Sequence, residues 1–452
     1  MLLLGVCLFG LLIRLVIVWQ CADATLFSDM HEYYSRAIYL RDHGQLYPDA
    51  FRPPAYPTFL AGFVIVFGDR ALLAARVAQA VLGAINIGLV GVLADRLAGA
   101  RGGLAAALML AVYPAWLLYP VYIMAETLFT FLTLSAIWLW SRRSYWTSAL
   151  AGVALALSVQ SRAVGIATIG GIAIAGALDA VADLRSPQHG LAPDAWSRIA
   201  KRFALLATAF AFTLAPWIIR NAQMWGAFIP TDTASGYNFL LGNNPMATGR
   251  LEIDQLEAIG NKYWKQVVTD AERSAVGFSA GMAFIRAEPR AALLLTVRKL
   301  GYLMGLEGRE HAWTYSYHFH GQRTAATVWI WGLALLISFP PIMLMALAGM
   351  FRPGTFTTSL GRTIVIVLIA ATLVHLASFG ESRFHVPWVP LLAVMAGTLW
   401  SPQSVAPWSW PRRAALAFVM TVLLLLWISQ APALLEQLAL LASSPTPLQL
   451  PY

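Results

Sequence analysis

Apolar residues in this chain come in long runs rather than in alternation. Most runs are about as long as a bilayer requires of a helix, roughly 20 residues. The pattern predicts spans at 3–22, 70–96, 103–118, 121–141, 145–160, 163–180, 203–220, 326–350, 362–379, 384–400 and 413–433. That is an all-α integral membrane protein of about eleven transmembrane helices, with further short helices lying along the outer membrane surface. Several runs are short, as buried or tilted helices are.

Two hydrophilic segments break the pattern, one at 23–69 and one at 221–325. They divide the chain into an N-terminal membrane module (1–220, including the loop 23–69), a long polar loop (221–325) and C-terminal membrane helices (326–452). Alternation puts both polar segments on one side. The loops on the other side are short and basic, carrying Arg96, Arg101, Arg142, Arg143, Arg185, Arg198, Lys201, Arg202, Arg352, Arg362, Arg412 and Arg413. The positive-inside rule makes that side cytoplasmic and the two large loops extracytoplasmic.

Composition agrees with lipid as the main solvent. Of 452 residues, 59% are hydrophobic and 12% charged, about half the charge of a soluble domain. The net charge of +9 follows from cytoplasmic loop bias and contact with anionic lipid. No basic, polar module of the kind that binds nucleic acid is present. Cys7 and Cys21 are the only cysteines and have no metal or disulfide spacing. The first apolar run has full span length and no small-residue cleavage site after it, so it reads as a retained helix. Arg14 interrupts that run, and a charge at that depth is expected to face the protein interior.

Candidate chemistry gathers at the outer ends of the helices. Ser28-Asp29-Met30-His31-Glu32 has capping-box spacing for a helix start. Asp29, Tyr33 and Arg36 then fall on one face, suited to a sugar and a phosphate, while Asp29 can equally serve as the cap. In Phe51-Arg52-Pro53-Pro54 the prolines force a bend that fixes Arg52 at the interface, where it can clamp a phosphate or simply snorkel. Glu126 is an ionisable group inside a span, hence a functional candidate or a structural partner for Arg14 or Arg162. Arg162, Arg220 and Arg383 stand at outer helix ends and, with Arg52, can converge on one anion. Asn243 and Asn244, in Gly242-Asn243-Asn244-Pro245, can bind sugar hydroxyls or only form a turn. His311, His318 and His320 match no strong metal motif.

Taken together, these residues resemble the GT-C glycosyltransferase superfamily, and more narrowly the bacterial relatives of protein O-mannosyltransferases and lipid A aminoarabinose transferases. The resemblance rests on Asp29 with Tyr33 and Ala37, Arg52-Pro53-Pro54, Ala125-Glu126, Pro216-Trp217 with Arg220-Asn221, Gly242-Asn243-Asn244-Pro245, and Glu381-Ser382-Arg383 with Pro387 and Pro390. It implies a polyprenyl-phosphate-linked sugar as donor, a lipid, glycan or protein acceptor, and a bacterial inner membrane with the site facing the periplasm. By the same resemblance Asp29 looks like the catalytic base, Glu126 the second acidic group, and Arg52, Arg220 and Arg383 the donor-phosphate ligands; Arg162, from its place at an outer turn, is a further phosphate candidate. Tyr33, Arg36, Asn243 and Asn244 are the candidate substrate contacts. Phe51 stands where some relatives carry a metal-holding acid, so no metal is assigned, and a divalent ion stays an open alternative.

Two other functions fit a multi-pass chain of this kind. A transporter or flippase of a lipid-linked or anionic substrate would use the same arginines, but its hallmark of broken helices in matched halves is not seen in the sequence. A structural subunit of an envelope assembly would be indifferent to Asp29.

Overall fold

The structure, a computed structural model, describes residues 1–185, 193–265, 267, 269–316, 324–402 and 407–443. The described residues are helical and contain no strand. In the N-terminal half, α1 is Leu2–Gln20, α2 Asp29–His43, α3 Ala55–Phe67, α4 Ala71–Val112, α5 Pro114–Leu118, α6 Glu126–Ser141, α7 Tyr145–Ser161, α8 Ile166–Arg185 and α9 Pro193–Trp225. The outer segment that follows holds α10 Ala234–Gly242, α11 Ile253–Ile259, α12 Asp270–Ala287, α13 Pro289–Leu303 and α14 Gly308–Ser316. The chain closes with α15 Ala325–Phe351, α16 Ser359–Ala377, α17 Val389–Gly397 and α18 Trp410–Ser443.

This is an integral membrane protein. Among the described residues seven helical stretches are long and apolar enough to cross a bilayer: Leu2–Gln20, Ala55–Val112, Ala163–Val181, Ser197–Trp225, Ala325–Phe351, Ser359–Ala377 and Trp410–Ser443. That number counts Ala55–Val112 once and leaves out the shorter helices. Helices α6 and α7 have 16 and 17 residues, short of the roughly 20 that span the hydrocarbon core. The stretch expected at 384–400 contains only the nine-residue α17, with short 3-10 turns on both sides. Every residue of α17 is buried, so its apolarity serves the protein core rather than lipid.

Helix α4 is two helices joined at a reversal. Gly99, at φ 77° and ψ 177°, turns the chain back on itself, a conformation open to glycine almost alone. The two arms pack closely: a Cβ at Gly91 would meet Ala107 at 3.4 Å, and one at Gly103 would meet the Gly91 carbonyl at 2.6 Å. The separate spans expected at 70–96 and 103–118 are these two arms. Helix α1 lies against them, with Gly10 facing Ile87 and Ala111. Arg14 is fully buried and donates to the carbonyls of Gly10, Leu110 and Ala111. It therefore faces the interior, and its partners are carbonyls rather than Glu126. Large apolar side chains such as Leu8, Leu12, Phe212, Phe418, Leu425 and Ile428 point outward, as a lipid-facing surface requires.

The basic loops meet at one end of the bundle. Arg96 donates to Ser141, Arg202 to the Trp140 carbonyl, Arg362 pairs with Asp179, and Arg352 donates to the Thr398 carbonyl. Helices α6, α7 and α16 run from that end to Glu126, Arg162 and the 378–384 loop at the other.

Candidate active site

Helix α2 begins at Asp29, and its N-cap is Ser28, held at φ 48° and ψ −133° without any side-chain capping bond. The capping reading of Asp29 is thus corrected. As the first helical residue, its carboxylate sits where the helix dipole favours negative charge and is free to turn outward. Its Oδ1 accepts from Arg52 Nη2 at 2.7 Å and its Oδ2 from Arg383 Nη2 at 2.8 Å. The positive φ at Ser28, rare for a residue with a side chain, is local strain next to these groups.

Arg52 follows from the Pro53-Pro54 bend. Its Nε donates to Glu32 Oε2 at 2.6 Å, and its guanidinium lies 5.4 Å from the Tyr33 ring and 5.2 Å from the Phe51 ring. Tyr33 is buried and packs edge-on against Tyr56 at 4.9 Å, while the Tyr56 hydroxyl donates to Gln79. Tyr33 thus forms a firm floor under Arg52. Glu126, the first residue of α6, is 1% exposed. It pairs with Arg162 at the end of α7 and attracts Arg383 from 3.9 Å. Glu381 pairs with Arg309, and both Arg309 and Arg383 lie over the Trp313 ring, at 5.0 and 5.1 Å.

These groups surround one cavity of about 560 Å³, the size of a small-molecule site. Asp29, Glu32, Tyr33, Arg52, Arg162, Asp232, Ser235, Tyr237, Asn238, Arg309, His375, Glu381 and Arg383 line it. Burial alone would push the Asp29 carboxyl up, but Arg52 and Arg383 outweigh it and hold Asp29 well below the usual carboxylate range. Burial lowers and Asp29 raises the two arginines, and the net direction for both is up. The site is an ionised network with its cations fixed by packing.

Several expected site residues lie elsewhere. Glu126 is not in the wall; it sits behind Arg162 and Arg383 and orients them. Arg36 points away and binds Asp49 Oδ2 at 2.6 Å. Arg220 donates to the carbonyls of Asp49 and Tyr47 and to Asn221. Arg36 and Arg220 together fasten the 47–49 turn, so neither reaches the cavity. Asn243 donates to the carbonyls of Phe239 and Ala377 and accepts from Lys299. Asn244 donates to Leu240 and Leu241 and accepts from the Met246 amide. Both asparagines are buried, and their amides hold the turn rather than a sugar. His318 and His320, and the side chain of His311, lie outside the described residues.

Among the wall residues not expected are Arg309, Glu381, His375 and Asp232. Glu381 adjoins Arg383 in a motif already singled out. Asp232 stands three residues before Ser235, a spacing that reads as an ordinary helix cap. Arg309 and His375 carry no local signal. Among the described residues no group of three or more His, Cys, Asp or Glu side chains gathers where a metal ion could be held. Asp29, Glu32 and Glu381 in the wall are engaged with arginine, and no step is routed through a metal ion.

Residues 51–185 match the sequence profile of the family described as dolichyl-phosphate-mannose-protein mannosyltransferase. No curated protein matches the chain. Among solved structures the chain is similar to the archaeal oligosaccharyltransferase AglB from Archaeoglobus fulgidus, determined with an inhibitory peptide and a dolichol-phosphate. The identity is 14% and the TM-score 0.50, covering 99% of this chain and 56% of that one. The same enzyme in complex with Zn and sulfate gives 15% identity and a TM-score of 0.51 over 99% and 54%. ArnT from Cupriavidus metallidurans aligns at 14% identity and a TM-score of 0.41 over 87% and 78%. The chain spans about half the length of the oligosaccharyltransferase it matches.

Proposed function

The chain carries the GT-C fold, and from that premise we propose that it is a membrane glycosyltransferase moving a sugar from a polyprenyl-phosphate carrier to an acceptor hydroxyl at the extracytoplasmic face. The observation that carries this reading is the convergence of Asp29, Arg52, Arg162 and Arg383, from three distant parts of the chain, on one cavity at the end of the bundle opposite the basic loops. The mannosyltransferase profile over 51–185 supports a phosphate-linked donor. The gathering of Arg96, Arg202, Arg352 and Arg362 at the far end supports a cytoplasmic assignment for that end.

The chemistry follows from the charges. The donor phosphate lies against the guanidiniums of Arg52, Arg162 and Arg383. Asp29 takes the proton of the acceptor hydroxyl, and that oxygen attacks the anomeric carbon. The bond from that carbon to the phosphate oxygen breaks, and the phosphate leaves with the electron pair, its developing charge stabilised by the same guanidiniums. A single displacement inverts the anomeric carbon. In the empty site Asp29 is a weak base because two arginines hold it. A phosphate competes for those arginines and thereby raises the basicity of Asp29 when donor is present.

The test is Asp29→Asn in purified full-length protein given a radiolabelled polyprenyl-phosphate sugar and acceptor. Wild type should release polyprenyl phosphate, and the variant should lose about 10²- to 10⁴-fold of that turnover with an unchanged elution profile. Near-normal turnover in the variant would remove Asp29 from the mechanism. A wild type that binds donor but leaves it intact would favour transport of the lipid-linked molecule instead.

A further inference from the structure

One carboxylate in the cavity wall is neither used by the proposed transfer nor paired with arginine among the described residues. Asp29, Glu32 and Glu381 are each paired with arginine. Asp232 has no such pair among the described residues. Its Oδ1 accepts from the Ser235 amide at 2.7 Å and the Ser235 hydroxyl at 2.8 Å. Its Oδ2 has no hydrogen-bond partner among the described residues, and the side chain lines the cavity. Burial pushes this carboxyl up despite its contact with Ser235.

The backbone holding Asp232 is fixed on both sides. The Trp217 indole donates to the Thr231 carbonyl at 2.7 Å, and the Thr233 amide donates to the Ala50 carbonyl at 2.8 Å. Helix α10 then packs so tightly that a Cβ at Gly236 would meet the Ser274 carbonyl at 2.1 Å. Asp232, Ser235 and Asn238 recur every third residue, so the turn leading into α10 and the helix itself present a carboxylate, a hydroxyl and an amide to the cavity. Among the described residues no hydrogen bond occupies the Asn238 side-chain amide. Beside them the Tyr237 ring, stacked on Trp264 at 4.6 Å, adds an aromatic edge to the wall.

Carboxylates accept hydrogen bonds and cannot donate them when ionised, so the group that meets Oδ2 must be a donor. An ammonium would satisfy it, but Arg52, Arg162, Arg309 and Arg383 line the same cavity and would repel a cation. A neutral hydroxyl has no such penalty, and an amide two helical steps away is suited to its neighbour. We propose that Asp232, Ser235 and Asn238 form the sugar-reading face of this site, taking adjacent hydroxyls of a neutral sugar, with Asp232 Oδ2 as the acceptor. This assignment rests on the donor reading above and adds the sugar class to it.

The experiment compares binding of two probes by full-length protein in detergent: undecaprenyl phosphate, and the same lipid carrying a neutral hexose. Asp232→Asn keeps the capping bonds to Ser235 while removing the charge, and Asn238→Ala tests the face without touching the cap. Each should weaken binding of the hexose-linked lipid about 10- to 100-fold and leave binding of the bare lipid phosphate within about 2-fold. Equal weakening of both probes, or unchanged binding of both by both variants, would overturn the sugar-reading role while leaving the donor reading intact. Wild type that binds neither probe would defeat the donor reading itself. Tighter binding by wild type of the carrier with an amino sugar than with the neutral hexose would overturn the neutral-sugar assignment.

Discussion

Asp29 and Glu126 are both acids held by arginine, yet their surroundings give them different work. Asp29 faces the cavity, and its ionised form is favoured by Arg52 and Arg383. Its folded value lies below the unfolded carboxylate value of about 3.9. The ion pairs therefore contribute stability that is complete above that value and is lost as pH falls through the lower folded one. Thermal unfolding in detergent between about pH 3 and pH 7 should show this acid limb, and Asp29→Asn should flatten it. Glu126 is buried and pairs with Arg162, with Arg383 at 3.9 Å. Glu126→Gln leaves the Arg162 guanidinium without its charge partner, which should cost on the order of 3 kcal/mol, read as a lower melting temperature. Because Arg162 and Arg383 also lose their anchor, turnover should fall about 10²-fold, with the Michaelis constant for donor rising. An unchanged melting temperature would mean that water already compensates Arg162. At this scale the sequence marks Asp29, Arg52, Arg162 and Arg383 as charges at the outer helix ends, and their side chains meet at one cavity. Arg36, Arg220, Asn243 and Asn244 do not line it, and their donors go mainly to carbonyls and to Asp49. The position of a carbonyl in space depends on the fold and leaves no mark on residue type.

Among the elements, the α4 reversal and the α10 packing are two of the points where the backbone leaves little room for choice. Gly99 holds a conformation that an L side chain can adopt only with strain, although the nearest atom to an added Cβ is 4.0 Å away. Gly99→Ala should therefore cost about 1–3 kcal/mol through conformation rather than collision. Thermal unfolding of the variant measures it, and a neutral substitution would mean the reversal can be made by another residue. Gly242 is different: a Cβ there would lie 1.7 Å from the Ser378 carbonyl. Gly242→Ala must push α10 away from the loop that carries Arg383, so donor binding should weaken even where the protein still folds. The elements themselves were legible wherever apolar length matched a bilayer, as in α1, α15 and α16. Helix α17 is apolar because it is fully buried rather than lipid-facing. Nothing in periodicity separates a core helix from a lipid-facing helix; that distinction lies in which neighbours surround it.

At the level of the molecule, one end of the bundle is a basic cap and the other is a cavity ringed by paired charges. If the basic cap faces the cytoplasm, a cysteine placed at His43 should react with a membrane-impermeant thiol reagent added to intact cells. One placed at Arg143 should react only after the membrane is opened. Background from Cys7 and Cys21 is removed by substituting both. The reverse pattern would invert the topology. The hydrogen bond from Arg383 to Asp29 joins residues 354 positions apart, and it bears on how the protein is made. A ribosome delivers Asp29 early, and the translocon must then thread most of the remaining helices before Arg383 emerges. Until that moment the nascent chain holds the acid without one of its two cations, and the outer segment cannot assume its working arrangement. Competence for reaction is thus acquired near the close of biogenesis, when insertion of the later helices has brought Arg383 to the same side as Asp29.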